Sequence, residues 1–163
     1  MKVFWNACKQ SIKLPQKQAV FALNRVGMDI TVIYMFILLA LASVPALLEQ
    51  ILLEQSAVPI QTFFLLIYFF IFYYLILVVI IFSLLSILAY IASLITKMLN
   101  RKLRFSILWK MAAFTTTLPL LLFTLFSFFY PLNHLFLIIC VLYIFTVIIK
   151  IILIYPKRVR HSS

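Results

Sequence analysis

Between Glu54 and Lys97 the chain carries no charged residue, and from Thr62 to Thr96 it runs for 35 residues without a glycine, proline, asparagine or aspartate. A helix of that length is about 50 Å long, against a bilayer hydrocarbon core of about 30 Å. Two helices would need a turn between them, and the residues that make turns are missing. The run therefore predicts one long helix, tilted or projecting, with its surplus turns near Leu94–Lys97. Composition agrees. The 163 residues are 67% hydrophobic and 10% charged, where soluble domains are about 45–50% apolar and about 25% charged. A core of this size could not hide so much apolar surface from water. Lipid must be the solvent for most of the chain. That excludes a soluble enzyme, a nucleic-acid-binding domain and a disordered tail.

Three more runs have spanning length. The first is Ile30 to Leu48, bounded by Asp29 and Glu49, with Pro45 near its far end. The third is Met111 to Phe129, with Pro119 inside it and Thr115, Thr116 and Thr117 one turn upstream. Pro119 removes the bond to the Thr115 carbonyl, so a kink is expected there. The fourth runs from Leu135 to Tyr155 and is stopped by Pro156. Its Lys150 is close enough to the end to snorkel toward headgroups. Tyr130 to His134 reads as a tight turn. The expected fold class is an all-α integral membrane four-helix bundle with an N-terminal in-plane amphipathic helix. Residues 1–28 form a basic cytoplasmic segment. Residues 29–156 hold spans at about 30–48, 62–96, 111–129 and 135–155, and residues 157–163 a basic tail.

Charge placement orients the bundle. Lys2, Lys9, Lys13, Lys17 and Arg25 precede the first span. Lys97, Arg101, Lys102, Arg104 and Lys110 lie between the second and third. Lys150, Lys157, Arg158 and Arg160 close the chain. Together these are all 14 basic residues, while the opposite loops hold Glu49, Glu54 and His134. The positive-inside rule then puts both termini in the cytoplasm of a multi-pass plasma-membrane protein. The net charge of +11 is an orientation signal rather than a nucleic-acid footprint. It also attracts anionic inner-leaflet lipid at about 1 kcal/mol per basic residue near the surface.

At the front, Phe4, Trp5, Cys8 and Ile12 fall on one side of a helical wheel, with Lys2, Lys9 and Lys13 beside them. That pattern suits a helix lying in the headgroup plane. Pro15 breaks it, a second piece runs from Gln16 to Arg25, and Gly27, the one glycine, marks the turn into the first span. Ala40-Leu41-Ala42 resembles a signal-peptide cleavage site, but 29 leading residues are too many and the apolar run continues past it.

The chemistry-bearing residues are sparse. Cys8 and Cys140 lie at different levels and cannot pair without large movement. Cys8 near the membrane could be acylated, although a small buried apolar residue is the favoured reading. His134 and His161 fall on opposite sides of the membrane, so no metal site is expected. No ionisable group lies near the midplane, which argues against a proton-coupled pump. With one glycine and two histidines no phosphate loop or catalytic triad can be assembled. No cofactor is expected, and the chain reads as a non-enzyme. Glu49-Gln50 and Glu54-Gln55 read as solvated loop caps in preference to a cation site. Ser83, Ser86, Ala89, Ala92 and Ser93 line one side of the second span, as a packing seam or a homodimer face. The aromatic stretch Phe63–Tyr74 reads as interfacial and lipid-facing packing.

Two stretches carry a family resemblance. One is the basic front with Leu14-Pro15, Phe21 to Arg25 and Gly27, leading to Ser43-Val44-Pro45. The other is Phe105-Ser106-Ile107-Leu108-Trp109-Lys110, followed by Met111–Phe114 and Thr117-Leu118-Pro119. The arrangement resembles the bacterial membrane family catalogued as domain of unknown function one-one-eight-nine, related in outline to the Yip-type multispan proteins. Some of its members are labelled maltodextrin-utilisation proteins. The resemblance implies an integral protein of a Gram-positive plasma membrane, with no catalytic residues to transfer. It also implies a sizeable outer segment after the first span, where this chain has only Glu49 to Gln61.

The function expected is a non-enzymatic accessory or scaffold protein. It would bind a larger membrane partner or anionic inner-leaflet lipid through Lys9, Lys13, Arg101, Lys102 and Arg104, with Ser86, Ala89 and Ser93 in helix packing and Pro119 as a kink. The alternative is a transporter or permease component for an uncharged or lipid-like solute, with the Pro119 kink and Thr115–Thr117 lining a path.

Overall fold

A computed structural model of the chain describes residues 2–53, 59–128 and 134–156. The described residues are all helix, turn or short connection, apart from one isolated bridge residue at Arg101. Helices α1 (Lys2–Ile12) and α2 (Lys17–Asn24) precede α3 (Met28–Leu53). One continuous helix then comprises α4 (Pro59–Tyr68), a π-helical segment (Phe69–Tyr74) and α5 (Leu75–Met98). It is followed by α6 (Phe105–Thr115), α7 (Thr117–Ser127) and α8 (His134–Ile154). Three stretches are long and apolar enough to cross a membrane: Met28–Leu52, Phe63–Met98 and Phe105–Ser127. Ile138–Ile154 is a shorter apolar stretch. The expected loop around Glu54–Ser56, the turn at Tyr130–Asn133 and the tail from Lys157 lie outside the described residues.

The long run does form one helix, as its lack of turn residues requires. Ala92 and Thr96, in the turns around Leu94–Lys97, are buried, whereas α4 at the opposite end packs chiefly on the segment that continues it. The π segment has the sequence FFIFYY, and a π turn widens the helix by one residue. From it Tyr74 Oη donates to the Phe36 carbonyl of α3 at 2.8 Å. The third stretch is interrupted at Thr116, three residues before Pro119. Thr115 Oγ1 donates to the Met111 carbonyl at 2.7 Å, and Thr116 Oγ1 to that of Ala113 at 2.6 Å.

α6 is the hub. It packs on α1, α2, α3, α5 and α8, and Leu108, Trp109 and every residue from Met111 to Thr115 are buried. Ala112 and Ala113 let neighbouring backbones come close. Ala89 and Ala92 of α5 do the same from the other side. α8 joins through one stripe, Ile144, Val147, Ile148, Ile151 and Ile152, at helical spacing, while Ile138, Ile139 and Leu142 in its first half are exposed. The core therefore sits toward the end where α2, α5 and α8 stop and α3 and α6 start.

The front helix exists, and it packs inward through part of the apolar face read from the wheel together with small residues beside it. Phe4 and Cys8 pack on the core, and Ala7, Ser11 and Leu14 belong to it or are buried beside it. Trp5 is 62% exposed and Ile12 is 51% exposed. The Phe4 ring lies 4.8 Å from that of Tyr34, which lies 5.4 Å from Phe114. α1 thus docks against α6 and α7. Small residues at 7 and 11 permit that approach where Trp5 and Ile12 would not. Ala7→Leu should overpack the joint and cost about 1–3 kcal/mol, while Trp5→Ala should change stability by no more than about 0.5 kcal/mol. Thermal unfolding of the two variants in one mild detergent checks both.

Candidate functional site

α5 ends in a tight reversal. Leu99 N–H donates to the Ile95 carbonyl at 2.9 Å, Asn100 N–H to Lys97 at 3.1 Å, and Arg101 N–H to Thr96 at 3.0 Å. Asn100 has φ 52°. This is a Schellman ending, with asparagine in the left-handed position that usually takes glycine. It satisfies the last carbonyls of α5 and turns the chain within a few residues into α6. Arg104, extended at φ −90°, ψ 152°, is the residue before α6 and gives it no side-chain cap.

The reversal shapes a cleft of about 540 Å³, lined by Ser93, Thr96, Lys97, Asn100 and the run Arg101–Arg104. Lys97, Lys102 and Arg104 are exposed, and Arg101 is half-buried. Among the described residues, no aspartate or glutamate lines the cleft. The structure thus gathers Arg101, Lys102 and Arg104, which the sequence singled out, with Lys97. It does not bring Lys9 or Lys13 into the lining. Both are exposed, and Lys9 Nζ sits over the Trp5 ring, 5.4 Å from its centroid.

Two cations are committed to helix ends. Arg101 donates from Nη1 to the Tyr155 carbonyl, just beyond α8. Lys110 Nζ donates to the carbonyls of Asn24 and Val26, both at 2.9 Å. Each holds unpaired carbonyls at the end of a helix, where a positive charge also opposes the negative pole. Both residues read from sequence as parts of a basic loop. A lysine or arginine close to the start of a buried helix is the signal that could have separated these roles.

Of the remaining sequence candidates, Ser86 is exposed and the others are buried or half-buried. Ala89 is fully buried and Ser93 half-buried at the cleft. Ser86 Oγ accepts from Trp109 Nε1 at 3.2 Å, tying α5 to α6. Pro119 is buried. Thr116 also reaches Met35 Sδ at 3.6 Å, and the Thr117 and Tyr34 hydroxyls share a 2.8 Å hydrogen bond. The three threonines therefore spend their hydroxyls inside the bundle and sit among buried neighbours. Cys8 and Cys140 are free and half-buried. Among the described residues, no three histidine, cysteine or acidic side chains cluster as metal ligands.

Residues 48–152 match the family model described as Protein of unknown function (DUF1189). The chain belongs to that family. The DUF1189 match takes in the stretch Phe105 to Pro119, the whole cleft and the hub helix α6. It begins after Ser43-Val44-Pro45, so the resemblance noted in the front of the chain lies outside it. No curated protein and no solved structure matches the chain.

Lys110→Met keeps the length of the side chain but strands two carbonyls. It should destabilise the fold by about 1–3 kcal/mol, seen as a lower melting temperature in detergent. Lys110→Arg should retain most of the stability.

Proposed function

We propose that this DUF1189 protein is a four-span, non-enzymatic accessory protein of the plasma membrane, with both termini in the cytoplasm. It engages anionic inner-leaflet lipid or a larger membrane partner through the basic end of its bundle. One observation carries the reading. Lys97, Lys102 and Arg104 stand exposed around a cleft that no acidic side chain among the described residues lines, at the end where α5 and α8 stop and α6 starts. Cations at that level meet headgroups or the acidic surface of a partner. The count of four spans rests on α8, which is 21 residues long and about 30 Å at 1.5 Å per residue. The cytoplasmic ends rest on the distribution of basic residues.

The transporter reading gains no such support. The residues proposed to line its path, Thr115 to Thr117, are buried and hydrogen-bonded within the bundle.

Orientation is tested by single cysteines in a variant lacking Cys8 and Cys140. A cysteine at Ser106 should resist a membrane-impermeant maleimide in intact cells, and one at Gln50 should react; the opposite pattern overturns the topology. The accessory role is tested by purification from native membrane in a gentle detergent. A stoichiometric protein or anionic lipid should accompany the chain, and charge-neutral Lys102→Gln/Arg104→Gln should reduce the yield of that companion. Purification as a defined homo-oligomer with no companion, together with solute flux in vesicles, would favour the transporter.

A further inference from the structure

We propose that the cleft at the α5–α6 reversal is a discrete site for the phosphate of one phospholipid headgroup, held by the cations that line it, Lys97, Arg101, Lys102 and Arg104. The inference rests on the anionic-lipid half of the reading above and narrows it from a charged surface to a single site.

Arg101 supplies the strongest argument. Its Nη1 is fixed on the Tyr155 carbonyl. Among the described residues its Nε is buried without an acceptor, and the residue lines the cleft. A buried charged donor left without an acceptor is costly. The guanidinium is always charged, and a phosphate in the cleft beside it offsets that charge. Three further cations border the same space, and among the described residues no carboxylate lines it. A phosphate relieves their mutual repulsion.

The backbone favours the same sign of charge. At the end of α5 the carbonyls of Ile95, Thr96 and Lys97 are already occupied by the N–H groups of Leu99, Arg101 and Asn100. At the start of α6 no side chain caps the first N–H groups, so this end keeps its positive pole.

The surroundings favour a lipid over free phosphate. Leu94 is 43% exposed, Met98 82% and Phe105 45%. These apolar side chains border the reversal in sequence and provide a surface for acyl chains on the membrane side of the cations. A free anion has no use for them.

The test is native mass spectrometry of the full chain in a neutral detergent, titrated with phosphatidylglycerol, phosphatidylcholine or inorganic phosphate. Two variants remove equal charge, Lys102→Gln/Arg104→Gln at the cleft and Lys9→Gln/Lys13→Gln on α1. All four positions are exposed, and melting temperatures confirm that both variants fold. The expected result is one tightly retained phosphatidylglycerol per chain, little affected by the α1 pair. At about a factor of five per basic residue, the cleft pair should weaken it by about 25-fold. Inorganic phosphate should compete only at high concentration. Equal loss in both variants, with preference for the anionic lipid kept in the wild type, overturns the site but leaves the wider lipid reading standing. No preference for phosphatidylglycerol over phosphatidylcholine in the wild type overturns both. Tight binding of inorganic phosphate without the lipid overturns the lipid source.

Discussion

The close approach of five helices to α6 is the constraint on which the rest of the structure depends. In lipid, apolar side chains gain little by leaving one apolar surface for another, so helices associate through tight packing and interhelical hydrogen bonds. Ala112 and Ala113 on α6, facing a neighbour that buries Ala89 and Ala92, supply the packing. The bonds are distributed around the same hub. Trp109 reaches Ser86 of α5, Lys110 reaches the end of α2, and Thr117, just past the interruption, shares a bond with Tyr34 of α3. A helix surrounded on all sides can carry such groups because each finds a protein partner. The same groups facing acyl chains would go unpaired.

This explains why the bundle is tight at one end only. Within the most apolar windows, 61% of residues are buried in the Phe105–Ser127 stretch, against 11% in the Phe63–Met98 helix. The long helix is the more hydrophobic of the two and the less enclosed. In water that combination would be unstable. In a bilayer the large apolar residues of its outer turns, among them Phe63, Phe64 and Phe72, can face lipid at no cost. Burial here follows small size and polar complementarity more than hydrophobicity.

The same inversion separates what the sequence revealed from what it concealed. The long helix was legible because an uninterrupted 35-residue run without turn residues leaves one solution. The interruption beside Pro119 was legible because proline lacks an N–H. The inward packing of α1 was legible in part, because hydrophobicity selects Phe4 and Cys8, which pack on the core, together with Trp5 and Ile12, which are exposed. The fold uses Ala7, Ser11 and Leu14, where size and a hydroxyl that bonds back to the Ala7 carbonyl at 2.7 Å decide the fit. In the candidate site, Arg101, Lys102 and Arg104 were legible as a group by their charge. Their division of labour was not, because Arg101 and Lys110 are distinguished by carbonyls at Tyr155, Asn24 and Val26, distant in sequence. The left-handed Asn100 that forms the cleft leaves a weaker trace, an asparagine directly after a helix with lysine in its last turn.

Backbone acceptors also bear on how the family region joins the rest of the chain. The DUF1189 match covers Arg101 and Lys110 but begins at residue 48, so the carbonyls that Lys110 holds lie outside it. A carbonyl makes no demand on the identity of its side chain. Asn24 and Val26 need only place a helix end at the right distance, and Ala19, Val20 and Leu23 do that by packing α2 at the basic end. The family region therefore grips the end of α2 through backbone carbonyls, while side-chain packing sets where that end lies. Arg101 binds α8 by the same logic, with one difference. Tying Nη1 to a carbonyl holds the guanidinium in place on a residue that lines the cleft, so the contact that closes the fold also helps to fix the geometry of the cleft.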